Sequence, residues 1–302
     1  MDGLLRRQLD GVARDRRSGA AEIALRTVTA LQAWLRHHRQ PNEQELIEIA
    51  RALLRAQPSM APMLRLANEV ALSIDHELPG QALNRSLRRF RSVLRRGPER
   101  IAGLFYRWLK RRKQWKIGTY SYSSTVARAL LRARARIEWV CCSEGRPAYE
   151  GRWMAERLAR AGINVWLSPD AAFLEEARFH DLQVSGADAV TPRGFVSKVG
   201  TEVIVSQVRR AGRLVIVLAE TLKFWPESPF RRTRFWQRTF APPREVWKDA
   251  PEKVRVGSPL FSCAPLGKHV AVLTERGWMT PERVRRELRR IRVSPRLRAL
   301  AD

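Results

Sequence analysis

Cysteine and histidine are scarce in this chain, and their scarcity excludes two common ways of stabilising a fold. The 302 residues include 3 cysteines, with Cys141 and Cys142 adjacent, and 5 histidines. Three thiols, two of them neighbours in the chain, cannot build a disulfide framework. No cysteine or histidine has a partner at the spacing of a zinc-ligand motif. We therefore expect no structural metal.

Long apolar runs are also absent. The longest uninterrupted apolar segment is 214–219, far shorter than the roughly 18 residues that a membrane-spanning helix requires. The amino terminus carries Asp2 where a secretion signal has positive charge, and no extended apolar stretch follows it. We expect a cytoplasmic protein without a membrane partner.

Acidic residues are too few to balance the basic ones. Lys and Arg number 57 against 30 Asp and Glu, which gives a net charge of +27. Such an excess is typical of proteins that neutralise nucleic-acid phosphates. The alternative is an arginine-rich surface that reflects a biased genome or a hot habitat, because net charge bears on association and not on fold. An apolar content of 44% is enough for a packed core, so disorder is excluded as the main state.

The first part of the chain has helical periodicity, with apolar residues recurring three and four positions apart. Asn42 followed by Glu45 resembles a capping box at the start of one helix. Pro58, Pro79-Gly80 and Gly97-Pro98 are stop signals. We predict a helical bundle over residues 1–112, with separate helices on the two sides of Gly97-Pro98.

The stretch 107–116 at the end of this bundle interleaves basic residues with Trp108 and Trp115. Bases and aromatics in alternation are typical of platforms that bind single-stranded nucleic acid. The alternative is a charged helix surface followed by a linker. We favour the second interpretation, because Trp108 is in phase with the buried face of the predicted helix.

Residues 113–302 alternate short strands with amphipathic helices. After a first short strand, the strand candidates are 137–142, 163–167, 182–184, 214–218 and 269–273. The helix candidates are 125–135, 149–161, 171–177, 199–211 and 281–291. This alternation predicts right-handed βαβ crossovers and a parallel sheet covered on both faces. We therefore predict an α/β protein: the helical bundle is followed by a Rossmann-like, doubly wound domain.

Polar residues follow nearly every predicted strand, at the edge where ligands bind in such sheets. The segments are 119–124, 143–146, 168–170, 186–188, 220–223 and 274–275. Hydroxyls and carboxylates suit sugar hydroxyl groups, whereas Arg146, Lys198 or Lys223 and helix N-terminal amides suit phosphate. Helix capping explains Ser123, Ser124 and Asp170 equally well. We expect a binding site for a phosphorylated sugar or a nucleotide.

Standard nucleotide and hydrolase signatures are missing. The sequence has no G-x-G-x-x-G, G-x-x-x-x-G-K-[ST], G-x-S-x-G or H-E-x-x-H. A dinucleotide dehydrogenase, a P-loop ATPase, a serine hydrolase and a zinc protease all become less favoured. We expect no cofactor.

A set of short motifs, taken in order, resembles one family. The motifs are 143–147 with Gly151, 159–163, Gly-Ala-Asp at 186–188 with Gly194, Lys-Val-Gly-Thr at 198–201, and 219–224 with Pro226. Segments 15–20, 55–59 and 273–277 add similarity at both ends. The set resembles the family that unites the α, β and δ subunits of eukaryotic translation initiation factor 2B with ribose-1,5-bisphosphate isomerase and methylthioribose-1-phosphate isomerase.

The resemblance implies a cleft between the two domains and dimerisation through the C-terminal one. In the isomerases, a cysteine after the first strand and the aspartate of Gly-Ala-Asp carry out acid–base chemistry on a sugar 1-phosphate. Asp188 matches that aspartate, and Ser121 occupies the cysteine position. The remaining residues that we expect to bind ligand or phosphate are Arg17, Ser123, Arg146, Ser197, Lys198, Glu220 and Lys223.

Three departures from the family pattern bear on activity. Ser121 replaces the cysteine, Ser197 replaces an asparagine before the motif lysine, and Glu150 replaces a glutamine. A thiol can be tuned to exchange a proton at neutral pH, whereas a serine hydroxyl needs its own base. Cys141 or Cys142 on the neighbouring strand is an alternative source of a thiol, although small buried cysteines are commonly part of the core.

Three hypotheses remain. The first is a homodimeric protein that binds a sugar phosphate or a nucleoside monophosphate without efficient isomerase chemistry. The second is a working aldose–ketose isomerase in which Ser121, helped by Tyr120 or Tyr122, replaces the usual acid. The third is a nucleic-acid or translation-associated binding protein, suggested by the net charge and the stretch 107–116.

Overall fold

A computed structural model describes residues 1–15, 18–226 and 240–301, and it begins with the predicted helical bundle. Its helices are α1 (Gly3–Arg14), α2 (Ala20–His37), α3 (Glu43–Ala56), α4 (Ala61–Ser73) and α5 (Pro79–Leu109). The capping box is confirmed, since Asn42 and Glu45 each accept a hydrogen bond from the other's main-chain amide. Helix α1 was not predicted, although its apolar Leu5, Leu9 and Val12 are buried.

The predicted helix break at Gly97-Pro98 is wrong. Helix α5 runs without interruption through both residues. A proline in a helix interior removes one hydrogen bond and costs about 3 kcal/mol. Two separate cores offset this cost: Leu83, Leu87, Phe90 and Leu94 pack in the bundle, and Ile101, Phe105 and Leu109 pack under the sheet. Tertiary packing therefore outweighs the local signal.

The second half is built on a seven-stranded sheet. The strands are β1 (Trp115–Thr119), β2 (Ile137–Ser143), β3 (Val165–Ser168), β4 (Leu182–Gly186), β7 (Leu214–Leu218), β9 (Val270–Thr274) and β10 (Gly277–Met279). Their order is β10-β9-β7-β4-β1-β2-β3, and only β10 is antiparallel to its neighbour. The helices are α6 (Ser124–Arg132), α7 (Glu150–Ala159), α8 (Asp170–Glu176), α9 (Thr201–Arg210), α10 (Pro243–Val246), α11 (Pro281–Arg289) and α12 (Pro295–Ala301). The predicted fold class is confirmed.

A small antiparallel sheet lies beside the large one and was not predicted. It consists of β5 (Ala189–Thr191), β6 (Gly194–Lys198) and β8 (Phe261–Ala264), in the order β5-β6-β8. Strands β5 and β6 form a hairpin, and Lys198 pairs with Phe261 on β8. This sheet fixes the backbone of Ser197 and Lys198.

The two halves share buried contacts. Leu297 on α12 is fully buried in the core of the helical bundle, as is Trp225. The side chain of Asn68 on α4 also bonds the main chain at Arg292 and Ser294, both at 2.9 Å. The boundary at residue 112 stays a prediction.

In the described part of the chain, no helix combines the length and the apolarity that crossing a membrane requires. The cytoplasmic location stays a prediction.

Candidate functional site

A cavity of about 340 Å³ lies where the bundle meets the carboxyl edge of the sheet. The bundle contributes Ala13, Asp15, Ser18, Gly19, Ala20, Ala21, Ala56, Gln57, Pro58 and Met60. The α/β half contributes Tyr120, Ser121, Tyr122, Ser123, Ser124, Glu150, Gly186, Ala187, Asp188, Ser197, Lys198, Lys223, Leu260 and Phe261. Of the nine residues predicted for the site, the cavity brings together Ser121, Ser123, Asp188, Ser197, Lys198 and Lys223.

Asp188 occupies the turn between β4 and β5, and main-chain bonds from both halves hold it there. Its amide donates to the carbonyl of Val196 at 2.8 Å, and its carbonyl accepts from the amide of Ala61 on α4 at 3.0 Å. Burial raises the pKa of its carboxyl to about 6, although the ammonium groups of Lys223 and Lys198 oppose that shift. Asp188 can therefore exchange a proton near neutral pH.

Lys198 and Glu150 form a nearly buried ion pair on the cavity wall. The Lys198 ammonium donates to both carboxylate oxygens of Glu150, at 2.8 and 3.1 Å. Glu150 begins α7, where its negative charge interacts favourably with the helix dipole. Sequence reasoning noted Glu150 only as a departure from the family pattern. The added negative charge was the signal that a cationic partner should lie nearby.

Lys223 lines the cavity, whereas Glu220 lies beneath it. The Glu220 carboxylate accepts from the hydroxyl of Thr125 at 2.6 Å and lies 3.2 Å from the Lys223 ammonium. Full burial would raise the pKa of Glu220, but Lys223 and Thr125 outweigh that effect and hold the pKa below its usual value. Glu220 is thus placed to support Lys223, and it is not among the cavity-lining residues.

Ser121 and Ser123 follow β1, and the cavity exposes both. Ser121 has φ = 64°, a left-handed conformation that costs a non-glycine residue of order 1 kcal/mol. Strain of this kind is often found at functional sites. Ser123 caps α6 by accepting a hydrogen bond from the amide of Val126 at 3.4 Å. Of the three capping candidates Ser123, Ser124 and Asp170, helix capping therefore accounts for Ser123.

Among the described residues predicted for the site, Arg146 and Glu220 do not line the cavity. The Arg146 guanidinium bonds the hydroxyl of Tyr149 and, at 3.1 Å, the carbonyl of Val246. Asp170 holds the Arg146 amide at 2.7 Å. Arg17 lies outside the described residues.

The cysteines on β2 are poorly suited to replace the missing thiol. Neither Cys141 nor Cys142 lines the cavity. Burial and the Glu176 carboxylate raise the pKa of Cys141 to about 12, and burial raises that of Cys142 further. Neither thiol is ionised at neutral pH. Ser121 is accordingly not replaced by a neighbouring thiolate.

The N-terminus of α2 opens into the cavity. Sequence reasoning expected Arg17 and helix N-terminal amides to bind phosphate, but it did not name the amides of this helix. Ser18, Gly19, Ala20 and Ala21 all line the cavity, and no side chain caps the helix at Gly19. The first amides of a helix have no partner within it, and they attract anions. The run of small residues before an amphipathic helix was the available signal. Within the described ranges, no group of three or more His, Cys, Asp or Glu side chains is placed to hold a metal.

Comparison with known proteins agrees with the motifs. The sequence pattern of the Initiation factor 2 subunit family matches residues 16–281. The chain is 28% identical over 265 residues to ribose 1,5-bisphosphate isomerase of Archaeoglobus fulgidus, covering 80% of this chain and 78% of that protein.

Solved structures show the same fold. Translation initiation factor eIF-2B of Pyrococcus horikoshii superposes with a TM-score of 0.77 at 24% identity, covering 94% of this chain and 99% of that one. The 5-methylthioribose 1-phosphate isomerase of the same organism has a TM-score of 0.66 at 17% identity, covering 94% and 86%. The family pattern, the isomerase relative and the shared fold confirm the resemblance drawn from the motifs, and the chain belongs to the initiation factor 2 subunit family.

Proposed function

We propose that this protein binds a small phosphorylated sugar or a nucleoside monophosphate in the cavity, without efficient isomerase chemistry. The observation that carries this proposal is the convergence of Asp188, Lys198 and Lys223 on one cavity, opposite the N-terminus of α2. Positive groups on two sides suit a phosphate group. Asp188 and the neighbouring serine hydroxyls suit the hydroxyl groups of a sugar.

The size of the cavity supports a small ligand. Its volume of about 340 Å³ is near the lower end of the range of roughly 300–1,000 Å³ for small-molecule sites. One sugar ring with a phosphate matches such a volume better than a dinucleotide does.

The balance of acid and base favours binding over catalysis. Asp188, with a pKa of about 6, is a suitable proton acceptor. Ser121 is a weak acid, and no cysteine lines the cavity. An isomerisation needs both a proton acceptor and a proton donor, so the site retains only half of the expected machinery.

A thermal-shift screen tests binding. Ribose phosphates and nucleoside monophosphates should stabilise the protein, by about 2.7 kcal/mol at one hundred times the dissociation constant. Lys223→Met should abolish the shift, whereas Arg210→Gln, at an exposed residue that is not among the cavity-lining residues, should retain it. No stabilisation of the wild type by any of these ligands would refute the proposal.

A second candidate is an active aldose–ketose isomerase, favoured by the raised pKa of Asp188 and by the isomerase relative. Under this alternative, the wild type converts ribose 1,5-bisphosphate or methylthioribose 1-phosphate, and Asp188→Asn is inactive. Under the leading proposal the wild type is inactive, and Ser121→Cys is the substitution expected to restore turnover.

We also propose that the protein forms a homodimer through its C-terminal half. Strand β3 is a sheet edge that exposes Trp166 and Leu167, at 64% and 45%, with Phe179 exposed at 65% nearby. Large apolar side chains at a sheet edge are typical of association surfaces. Light scattering should give twice the chain mass, and Trp166→Glu should give the monomer.

A further inference from the structure

A second concave surface lies on the helical bundle, away from the cavity. It is an open groove of about 1120 Å³ between α2 and α5, and no residue lines both it and the cavity. Helix α2 contributes Ala20 to the cavity and Arg36 to the groove, which places them about 24 Å apart at 1.5 Å per residue. The groove is therefore a separate place on the molecule.

The lining of the groove is strongly basic. Its arginines are Arg36, Arg39, Arg88, Arg91, Arg95 and Arg96, and we call it the arginine groove. Among the residues that the structure describes, Glu77 is the only acidic one in the lining. Guanidinium groups gathered in this way repel one another, and a bound polyanion relieves that repulsion.

The groove arginines also lack ion-pair partners. Among residues 1–15, 18–226 and 240–301, no acidic side chain pairs with any of the six. Arg112, in the stretch suggested earlier as a nucleic-acid platform, is by contrast paired with Asp181 at 2.9 Å. Arg91 donates to the side chain of Gln32 at 2.9 Å, while its Nε is buried without a partner. The positive charge in the groove is therefore not neutralised internally.

The arrangement of these charges suits a chain of phosphates better than one phosphate. Arg88, Arg91 and Arg95 lie three and four residues apart on one face of α5. They form a strip about 10 Å long at 1.5 Å per residue. Arg36 and Arg39 stand on the other wall. A strand lying in the groove would be met by guanidinium groups from both sides.

We propose that the arginine groove binds the sugar–phosphate backbone of a single-stranded nucleic acid, independently of base sequence. The described lining contains no aromatic side chain on which bases could stack, so the contacts expected are those of guanidinium groups with backbone phosphates, which carry no sequence information. Two facing walls enclose a single strand, whereas a duplex would contact mainly their rims. The proposal does not depend on which ligand the cavity binds.

The test uses the full chain and an oligouridylate of about 12 nucleotides, within the range of known single-strand site sizes. Binding is measured by fluorescence anisotropy from low to high salt. The triple variant Arg88→Gln, Arg95→Gln, Arg96→Gln removes three exposed groove charges. The matched control is Arg209→Gln, Arg210→Gln, Arg289→Gln, which removes the same charge from exposed sites elsewhere.

The wild type should bind with a steep salt dependence. In a plot of log affinity against log salt concentration, the slope for the groove variant should fall by about two units, because each neutralised strand phosphate contributes about 0.7 to it. The affinity at 0.1 M salt should fall by about 100-fold. The control should bind as the wild type does. The double variant Arg36→Gln, Arg39→Gln changes the opposite wall and should also lower the affinity. Because neither residue is on α5, it distinguishes loss of binding from a folding defect in the first variant.

Several results would overturn the proposal. They are equal losses in the groove and control variants, no binding by the wild type at low salt, and tighter binding of a duplex of the same length. A change in oligomeric state caused by the groove variants would instead assign the groove to a contact between copies of this chain. Stabilisation by sugar phosphates is measured separately, so failure here leaves the cavity proposal standing.

Discussion

At the scale of single residues, the cavity is controlled by buried charges that depend on one another. Asp188 has a raised pKa even though two lysines lie near it, and Glu220 has a lowered pKa even though it is fully buried. The difference lies in contact: Glu220 accepts a hydrogen bond from Thr125 and pairs with Lys223. Asp188 remains partly accessible through the cavity, where a ligand can supply the hydrogen bonds that the protein does not.

The raised pKa of Asp188 predicts a pH-dependent contribution to stability. The folded pKa is about 6, above the value of about 3.9 expected in the unfolded chain. Between these values the folded state holds more protons, so this group makes the free energy of unfolding fall as pH rises, by about 3 kcal/mol in total. Urea denaturation across this range should show that fall, and Asp188→Asn should remove it.

Asp181 is a control whose effect on stability should depend on pH in the opposite direction. Burial opposes its ionisation, but the Lys116 amide and Arg112 prevail and lower its pKa. Its contribution is present at neutral pH and is lost as pH falls through the lowered folded pKa. Asp181→Asn should therefore destabilise the protein at neutral pH. A similar pH profile for wild type and Asp188→Asn would contradict the assignment for Asp188.

The buried pair Lys223 and Glu220 predicts a strongly non-additive double mutant. Lys223→Met leaves the Glu220 carboxylate without its ion-pair partner, which should cost about 3–5 kcal/mol. Adding Glu220→Gln removes the buried charge, and the double variant should recover most of that loss. Chemical denaturation of the four proteins measures the coupling. Additive losses would show that the two side chains do not stabilise one another.

At the scale of secondary-structure elements, α5 is the feature that joins the two halves. Its first part packs in the bundle, and its last part packs under the sheet. Gly97 lies at the join, where an added Cβ would come within 3.2 Å of the Glu220 side chain. The absence of a side chain at this position allows the helix to approach the buried acid beneath the cavity.

Removing Pro98 from the interior of α5 should stabilise the protein. Pro98→Ala should raise the free energy of unfolding by about 1–3 kcal/mol, because alanine restores the missing amide and has a far higher helix propensity. Pro281→Ala is the control: Pro281 is in the first turn of α11, where a missing amide costs little. Thermal denaturation compares the two. Destabilisation by Pro98→Ala would mean that the packing of the proline ring is worth more than the lost amide.

Sequence reasoning succeeded where local signals and packing agree. The β-branched run at 214–218 is a central strand, and the capping residues of α3 act as predicted. It failed at Gly97-Pro98, because two distant cores outweigh a local stop signal. It also missed β5, whose three residues are too short to show alternation. Lys198 was expected at the same sheet edge as Asp188 before the family resemblance was drawn, but the hairpin of β5 and β6 that brings the two residues together was not predicted.

At the scale of the whole molecule, the bundle and the α/β half do not have fully separate cores. Leu297 and Trp225, which belong to the second half of the chain, complete the core of the bundle. We therefore expect calorimetry to show one cooperative unfolding transition. A fragment of residues 1–112, which lacks those side chains, should be less stable than the bundle in the full chain. Two transitions, one of them reproduced by the fragment, would contradict this expectation.

A single leucine tests the same point. Leu297→Ala should cost about 2–5 kcal/mol, the range for a fully buried leucine. Leu4→Ala is the matched control, because Leu4 is 58% exposed and its truncation should change stability by less than about 0.5 kcal/mol. Equal effects of the two substitutions would place α12 outside the cooperative unit.

Helix α5 connects the two proposed sites. Helix α5 carries Arg95 and Arg96 on its groove face, and its very next residue, Gly97, rests on the acid that supports Lys223. If a ligand at one site displaces this helix, the other site moves with it. Linkage then demands reciprocity: whatever factor a strand applies to sugar-phosphate affinity, the sugar phosphate must apply to the strand.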